Sequence, residues 1–210
     1  MAHGRGYVSV FPDDPILCFN RFNETGVAMS MCMTFAVGQR GAFLATRSMA
    51  RTIRGDLEER IASGVTSEVI VVDFGGVDAM TISFADEFLG RFYTDLASGH
   101  IRPVAVLLRG LNEETTEAVT ICLERRELIA AALAETGKEL IGAQEFLAES
   151  YRHALELRHF KAGEFAASLG ITPQNANNRL KRLVAAGAIR KERITSPGRG
   201  GKEFSYALPC

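Results

Sequence analysis

From Val27 to Val37 every odd position is apolar (Val27, Met29, Met31, Met33, Phe35, Val37), and the even positions are small or polar. Period two over this length predicts a strand with one buried face. The methionines suit core packing, since an unbranched thioether fills irregular space. A glycine-containing connection over 38–46 follows. The period then becomes helical: Ala50, Ile53, Leu57 and Ile61 predict the buried face of a helix over 47–62. Residues 69–74 (VIVVDF) are a continuous apolar run interrupted only by Asp73, as expected for a strand buried on both faces of a parallel sheet. Gly75 and Gly76 turn the chain. Phe84, Phe88, Phe92 and Leu96 then predict a helix beginning near Phe84. Ser83 stands just before it and Asp86 three residues later, which makes Ser83 the expected N-cap. Val104–Leu108 reads as another buried strand. Asn112 caps a helix opened by Glu113 and Glu114, which complement the helix dipole. Residues 138–141 add an edge strand, and 7–11 and 16–19 are two short strands around the turn Pro12-Asp13-Asp14-Pro15. Strands followed by a βαβαβ order predict an α/β domain over residues 1–142, a mixed, mostly parallel sheet with crossover helices, and Gly142 as the hinge.

A different pattern occupies 143–210. Residues 144–158 read as an amphipathic helix, and 160–169 as a short one with Phe165, Ala166 and Leu169 inward, closed by Gly170. Thr172 and Pro173 mark another helix start, an N-cap with proline in the first helical position. At 100° per residue Ala176, Leu180, Leu183 and Val184 share one sector. Gln174, Asn178, Lys181 and Arg182 lie opposite, flanked by Asn175 and Asn177. A basic strand follows, then a flexible tip over 196–201 carrying Arg199, and a return strand begun by Lys202 in which Phe204, Tyr206 and Leu208 alternate inward. Helices plus a β-hairpin make this an α+β domain.

Charge sharpens the division. Residues 144–210 carry eleven Lys/Arg against six Asp/Glu; residues 1–143 carry thirteen against nineteen. Such asymmetry points to a polyanion meeting the C-terminal part. Asn and Gln pair bidentately with adenine and Arg with guanine. Gln174, Asn175, Asn178 and Arg182 are therefore the candidates for reading bases. Thr172, Arg179, Lys181, Arg190, Lys191, Arg199 and Lys202 are candidates for holding the backbone. Duplex DNA is favoured over RNA, because no aromatic is expected to be exposed among the basic residues.

Two resemblances follow from these stretches. The segments GAFLATRSMAR (41–51), VIVVDFGGV (69–77) and ISFADEFLG (82–90) resemble the STAS fold of anti-sigma-factor antagonists, and more closely a STAS-like bacterial family of unknown function. In the antagonists a Ser or Thr just before the helix is phosphorylated by a kinase related to histidine-kinase ATPases. Here the matching positions read Thr81-Ile82-Ser83: Ile82 holds the usual phosphoserine position and Ser83 is adjacent. The resemblance implies a partner-binding domain, with Ser83, Arg47 and Arg51 as regulatory candidates. Arg47, Arg51 and Arg54 form a stripe that either pairs with Asp56 and Glu58 or meets an acidic partner or anion. Residues 145–208 resemble the winged helix–turn–helix of bacterial transcription regulators, in which helix 173–186 enters the major groove.

The expectation is a cytoplasmic DNA-binding regulator, homodimeric so that two half-sites multiply its affinity. In it the STAS-like half senses or binds a partner. The alternative is a partner-switching adaptor whose winged helix docks protein. The N-terminus lacks the apolar core of a signal peptide, and Val27–Val37 is too short to span a bilayer. Cys18, Cys32, Cys122 and Cys210 have no CxxC spacing and are expected as thiols. There is no GxxxxGK[ST] or HExxH, and His3, His100, His153 and His159 share no metal spacing. No cofactor, metal or catalytic set is expected.

Overall fold

The computed structural model describes residues 31–63, 67–102, 104–194 and 203–209. The expected strands at 7–11 and 16–19, the start of the 27–37 strand, the tip with Arg199, and Lys202 lie outside the described residues. What is described is an α/β fold around a mixed sheet. Its strands are β1 (Met31–Ala36), β3 (Ser67–Asp73), β5 (Ala105–Arg109), β6 (Ala130–Ala134) and β7 (Gly137–Ile141), in spatial order β1-β3-β5-β6-β7. The first four run parallel, and β7 returns antiparallel to β6 as the edge strand expected at 138–141. Two two-residue strands, β2 (Phe43–Leu44) and β4 (Ala79–Met80), pair in parallel beside it and have no counterpart in the sequence patterns.

The apolar runs are explained by what covers the sheet. Ile70, Val72, Val106, Leu108, Ala130 and Ala132 belong to one core. There they meet α1 (Arg47–Ala62), the helical segment from α2 (Ile82–Ala85) to α3 (Arg91–Ser98), and α4 (Glu113–Arg125). Val71, Leu107, Ile129 and Ala131 belong to a second core, made with α5 (Glu145–Leu157), α6 (Ala162–Leu169) and α7 (Pro173–Ala185). Alternate residues of a strand face opposite ways, so each strand supplies both cores. A strand such as β5 reads as continuously apolar because both its faces are covered. The C-terminal segment is thus the second cover of the sheet.

The remaining elements complete that cover. Strand β8 (His159–Lys161) pairs with β10 (Glu203–Ala207), which also pairs with β9 (Arg190–Ile194), giving an antiparallel order β8-β10-β9. After α7 the turn at Gly187 reaches the main sheet: the Val106 amide donates to the Gly187 carbonyl at 3.0 Å. Gly187 has φ +66°, and a Cβ there would stand 2.8 Å from the Val104 carbonyl oxygen, so neither the conformation nor the space admits a side chain. Gly142, the expected hinge, has φ +72° and is packed against Leu128 and Leu123.

Helix starts follow local chemistry. Thr46 caps α1 by accepting from the Met49 amide, and Asn112 caps α4 with a reciprocal bond to Thr115. The expected cap at Ser83 is corrected. The helix begins at Ile82, and Thr81 is the N-cap, accepting from the Phe84 amide at 3.1 Å while donating to the Ala45 carbonyl at 2.8 Å. Ser83 sits exposed in the first turn. A π-helical turn over Asp86–Gly90 then links α2 to α3. The short helix read over 160–169 begins instead at Ala162, because Phe160 belongs to β8.

Candidate nucleic-acid interface

Helix α7 is the centre of the C-terminal elements. Gly170, in the left-handed conformation, ends α6, and the Ile171 amide bonds back to the Ala166 carbonyl. The Thr172 hydroxyl then accepts from the Asn175 amide at 3.3 Å, with Pro173 at the first helical position. Ala176, Leu180 and Leu183 are buried among Phe165, Tyr151 and Ile189. Gln174, Asn175, Asn177, Asn178, Lys181 and Arg182 are exposed. The helix contains no Asp or Glu, so its outer surface is amide and cation only.

The expected backbone-holding residues divide by environment. Lys181 is exposed. Arg179 is half-buried and works inside the fold: its guanidinium donates to the Ser150 hydroxyl at 3.0 Å, the Phe146 carbonyl at 3.3 Å and the Asn175 side chain at 3.1 Å, and lies 5.1 Å from the centre of the Phe146 ring. Arg182 stands over the same ring at 5.8 Å. Phe146, an exposed aromatic at the start of α5, corrects the expectation that no aromatic is exposed among the basic residues. Arg190 is half-buried and pairs with Glu192 at 3.2 Å. Lys191 is exposed, its ammonium 3.9 Å from the centre of the Phe204 ring. Arg199 and Lys202 lie outside the described residues.

Compared with protein-family models, curated proteins and solved structures, the chain matches none. What the candidate interface can do therefore rests on its own geometry: an acid-free outer face on a helix whose opposite face is buried.

Of the regulatory candidates, Arg51 joins an ion-pair cluster elsewhere, on the helical layer, while Ser83 and Arg47 stay outside it. The Arg51 Nε lies 3.4 Å from the Glu87 carboxylate, Arg54 3.5 Å and Arg91 3.1 Å. Arg54 also reaches Glu58 and Asp95. Asp56, expected as a partner of this stripe, pairs with Arg40 instead. Glu87 is buried. Burial works against its charge, and Arg91, the hydrogen bond from Arg51, and Arg54 outweigh it, so its pKa sits below the ordinary carboxylate value. Asp86 is also lowered, first by the hydrogen bond from Arg126 at 2.7 Å, against desolvation and with help from the charges of Arg126, Arg47 and Arg91. Arg47 remains exposed. The sequence did not identify Glu87 as the convergence point, since its partners Arg51 and Arg54 come from a helix more than thirty residues away. Among the described residues no group of three His, Cys, Asp or Glu is placed to hold a metal ion, and no helix is long and apolar enough to cross a membrane.

Proposed function

We propose that the chain is a DNA-binding transcriptional regulator, in which a C-terminal winged helix holds duplex DNA and a STAS-like half senses or binds a partner. The observation that carries this is the outer face of α7. Gln174, Asn178 and Lys181 are exposed with no acid on the helix, while Ala176, Leu180 and Leu183 fix its inner face. A helix preceded by a tight turn and followed by a β-ribbon is the arrangement that presents side chains to a major groove. The acid-free face supports an electrostatic component to binding. A homodimer supplies two such helices to two half-sites.

The test is a fluorescence-polarisation series of the full chain on genomic duplex fragments, from 50 to 300 mM salt. A linear fall of log affinity with log salt is expected, and Asn178→Ala is expected to lower affinity about tenfold on the best fragment and much less on unrelated duplex. Absence of any salt-dependent duplex binding would overturn the reading. A second reading is favoured by Phe146, an exposed aromatic under Arg179 and Arg182: an adaptor whose C-terminal face docks protein. Retrieval of a histidine-kinase-like ATPase, without duplex binding, selects it.

A further inference from the structure

The helical layer keeps its opposite charges on opposite flanks. α1 opens with Arg47 at its first position and Arg51 one turn on, and its first turn holds no acid. Cations at a helix N-terminus oppose the helix dipole, so this placement favours an anion brought from outside. Arg51 is held in place from below. Its Nε lies 3.4 Å from the buried Glu87 carboxylate, while its side chain is 68% exposed. Glu87 is shared with Arg54 and Arg91, so it orients Arg51 without neutralising the group. Arg47 is exposed one turn before Arg51.

The far flank is the reverse. Glu113 and Glu114 open α4, Glu117 and Glu124 follow, and all four are exposed. At 100° per residue Glu113, Glu117 and Glu124 fall within about 40° of one another, away from buried Ala118, Val119 and Cys122. The first cation of α4 is Arg125, in its last turn.

Topology sets these two stripes for self-pairing. α1, the α2–α3 segment and α4 connect parallel strands and cover the same face of the sheet. All three therefore run opposite to the strands and start at the strands' carboxyl ends. The strand order puts α1 and α4 on either side of the middle segment. A two-fold axis parallel to the helices then sets the start of α1 against the start of α4 of a second copy, and does so twice. α1 has 16 residues and spans about 24 Å. Three helices side by side are about 30 Å wide, so the layer offers on the order of 700 Å², close to what one partner gives a stable interface.

We propose that two copies of the chain associate through this helical layer, Arg47 and Arg51 of each meeting Glu113 and Glu117 of the other. The proposal rests on the dimer of the DNA-binding reading and gives that dimer a face. The turn at Gly187, just past α7, lies against Val104 and Val106 at the amino end of β5. An axis along the strands keeps both such ends, and the end of α7 with each, on one side of the dimer, as two half-sites on one duplex require.

The test is sedimentation of the full chain without DNA, up to about 200 μM, at 50 and 500 mM salt. A dimer is expected at 50 mM, with affinity at least about tenfold lower at 500 mM. Arg47→Glu/Arg51→Gln and Glu113→Lys/Glu117→Lys are each expected to be monomeric at 50 mM, and their equimolar mixture to restore a one-to-one dimer. Circular dichroism checks that both fold. Arg47→Glu alone, at an exposed position, is expected to weaken the dimer at least about tenfold and decides the matter should the Arg51 variant unfold. The proposal is overturned if the parent chain stays monomeric, if either folded variant dimerises as tightly as the parent, or if the mixture stays monomeric. Duplex binding is read separately. A chain that dimerises as expected but binds no duplex loses the DNA reading and keeps this face; one that binds duplex without this dimer does the opposite.

Discussion

Arg179 and Lys181 stand two positions apart on α7, are both cations, and have different work. Arg179 is a strut: two of its hydrogen bonds, to Phe146 and Ser150, and its ring contact join α7 to α5, and a third holds Asn175 on its own helix. Lys181 faces solvent. Arg179→Ala should therefore lower stability by about 1–3 kcal/mol in a denaturant titration, since it leaves the Phe146 and Ser150 oxygens with a lost donor. Lys181→Ala should change stability by no more than about 0.5 kcal/mol. In the proposed DNA binding the order reverses: Lys181→Ala should reduce the salt slope by about one, and Arg179→Ala should leave it nearly unchanged. Equal effects on the slope would show that Arg179 leaves its strut to meet phosphate. The acids of the helical layer are tested by pH. The folded-state pKa of Asp86 is depressed, so its pairing with Arg126 stabilises fully above the unfolded aspartate value of about 4 and is lost as pH falls through the lower folded value. Because the carboxylate is a third exposed, the effect is about 1 kcal/mol. Melts of Asp86→Asn and the parent chain should be separated by a constant gap from pH 7 to 5, closing below pH 4. A gap that widens in acid would contradict the pairing.

At the scale of elements, the parts legible in sequence were those specified by neighbouring residues. α1 was readable from its apolar stripe, the start of α4 from the cap at Asn112, and α7 from its cap at Thr172 together with its apolar positions. β8 was not, because His159–Lys161 is three residues long and its partner, Ser205–Ala207, lies more than forty residues on. The start of α2 was misplaced for a related reason. Thr81 is held by the Ala45 carbonyl from across the fold, and the π-helical turn shifts the phase of the phenylalanine stripe that marked the helix. Thr81→Ala should cost about 1–2 kcal/mol in a chemical melt through the lost cap and the lost bond to Ala45. Ser83→Ala should stay within about 0.5 kcal/mol, and a larger effect at Ser83 would return the cap to it. The candidate interface was legible to the same extent as α7. The amphipathic pattern identified its outer face, but the roles of Arg179 and Arg182 were not readable, because both depend on Phe146 from another helix.

For the whole molecule, the second core means that the sheet and the C-terminal elements are mutually dependent. Leu107 is fully buried among residues of that core. Leu107→Ala should remove about 2–4 kcal/mol. It should do so in one transition, with far-UV circular dichroism and tyrosine fluorescence, to which Tyr151 and Tyr206 contribute, melting together. Two separated transitions would mean that the C-terminal elements hold their structure without the sheet. Apolar continuity in β3 and β5 predicted covering on both faces, but the sequence could not say that α5, α6 and α7 supply one of the covers. That depends on which face each segment meets, and only the assembled chain decides it.

The contact between Gly187 and Val106 gives that dependence a single-atom reporter. The Val106 amide hydrogen is held by a carbonyl from the C-terminal elements, so its protection from deuterium exchange requires those elements to be seated. In a chain that opens only by global unfolding, Val106 and its strand neighbour Leu108 exchange with the same free energy. Where the C-terminal elements lift away first, Val106 exchanges earlier, and the difference between the two amides measures the equilibrium constant of that partial opening.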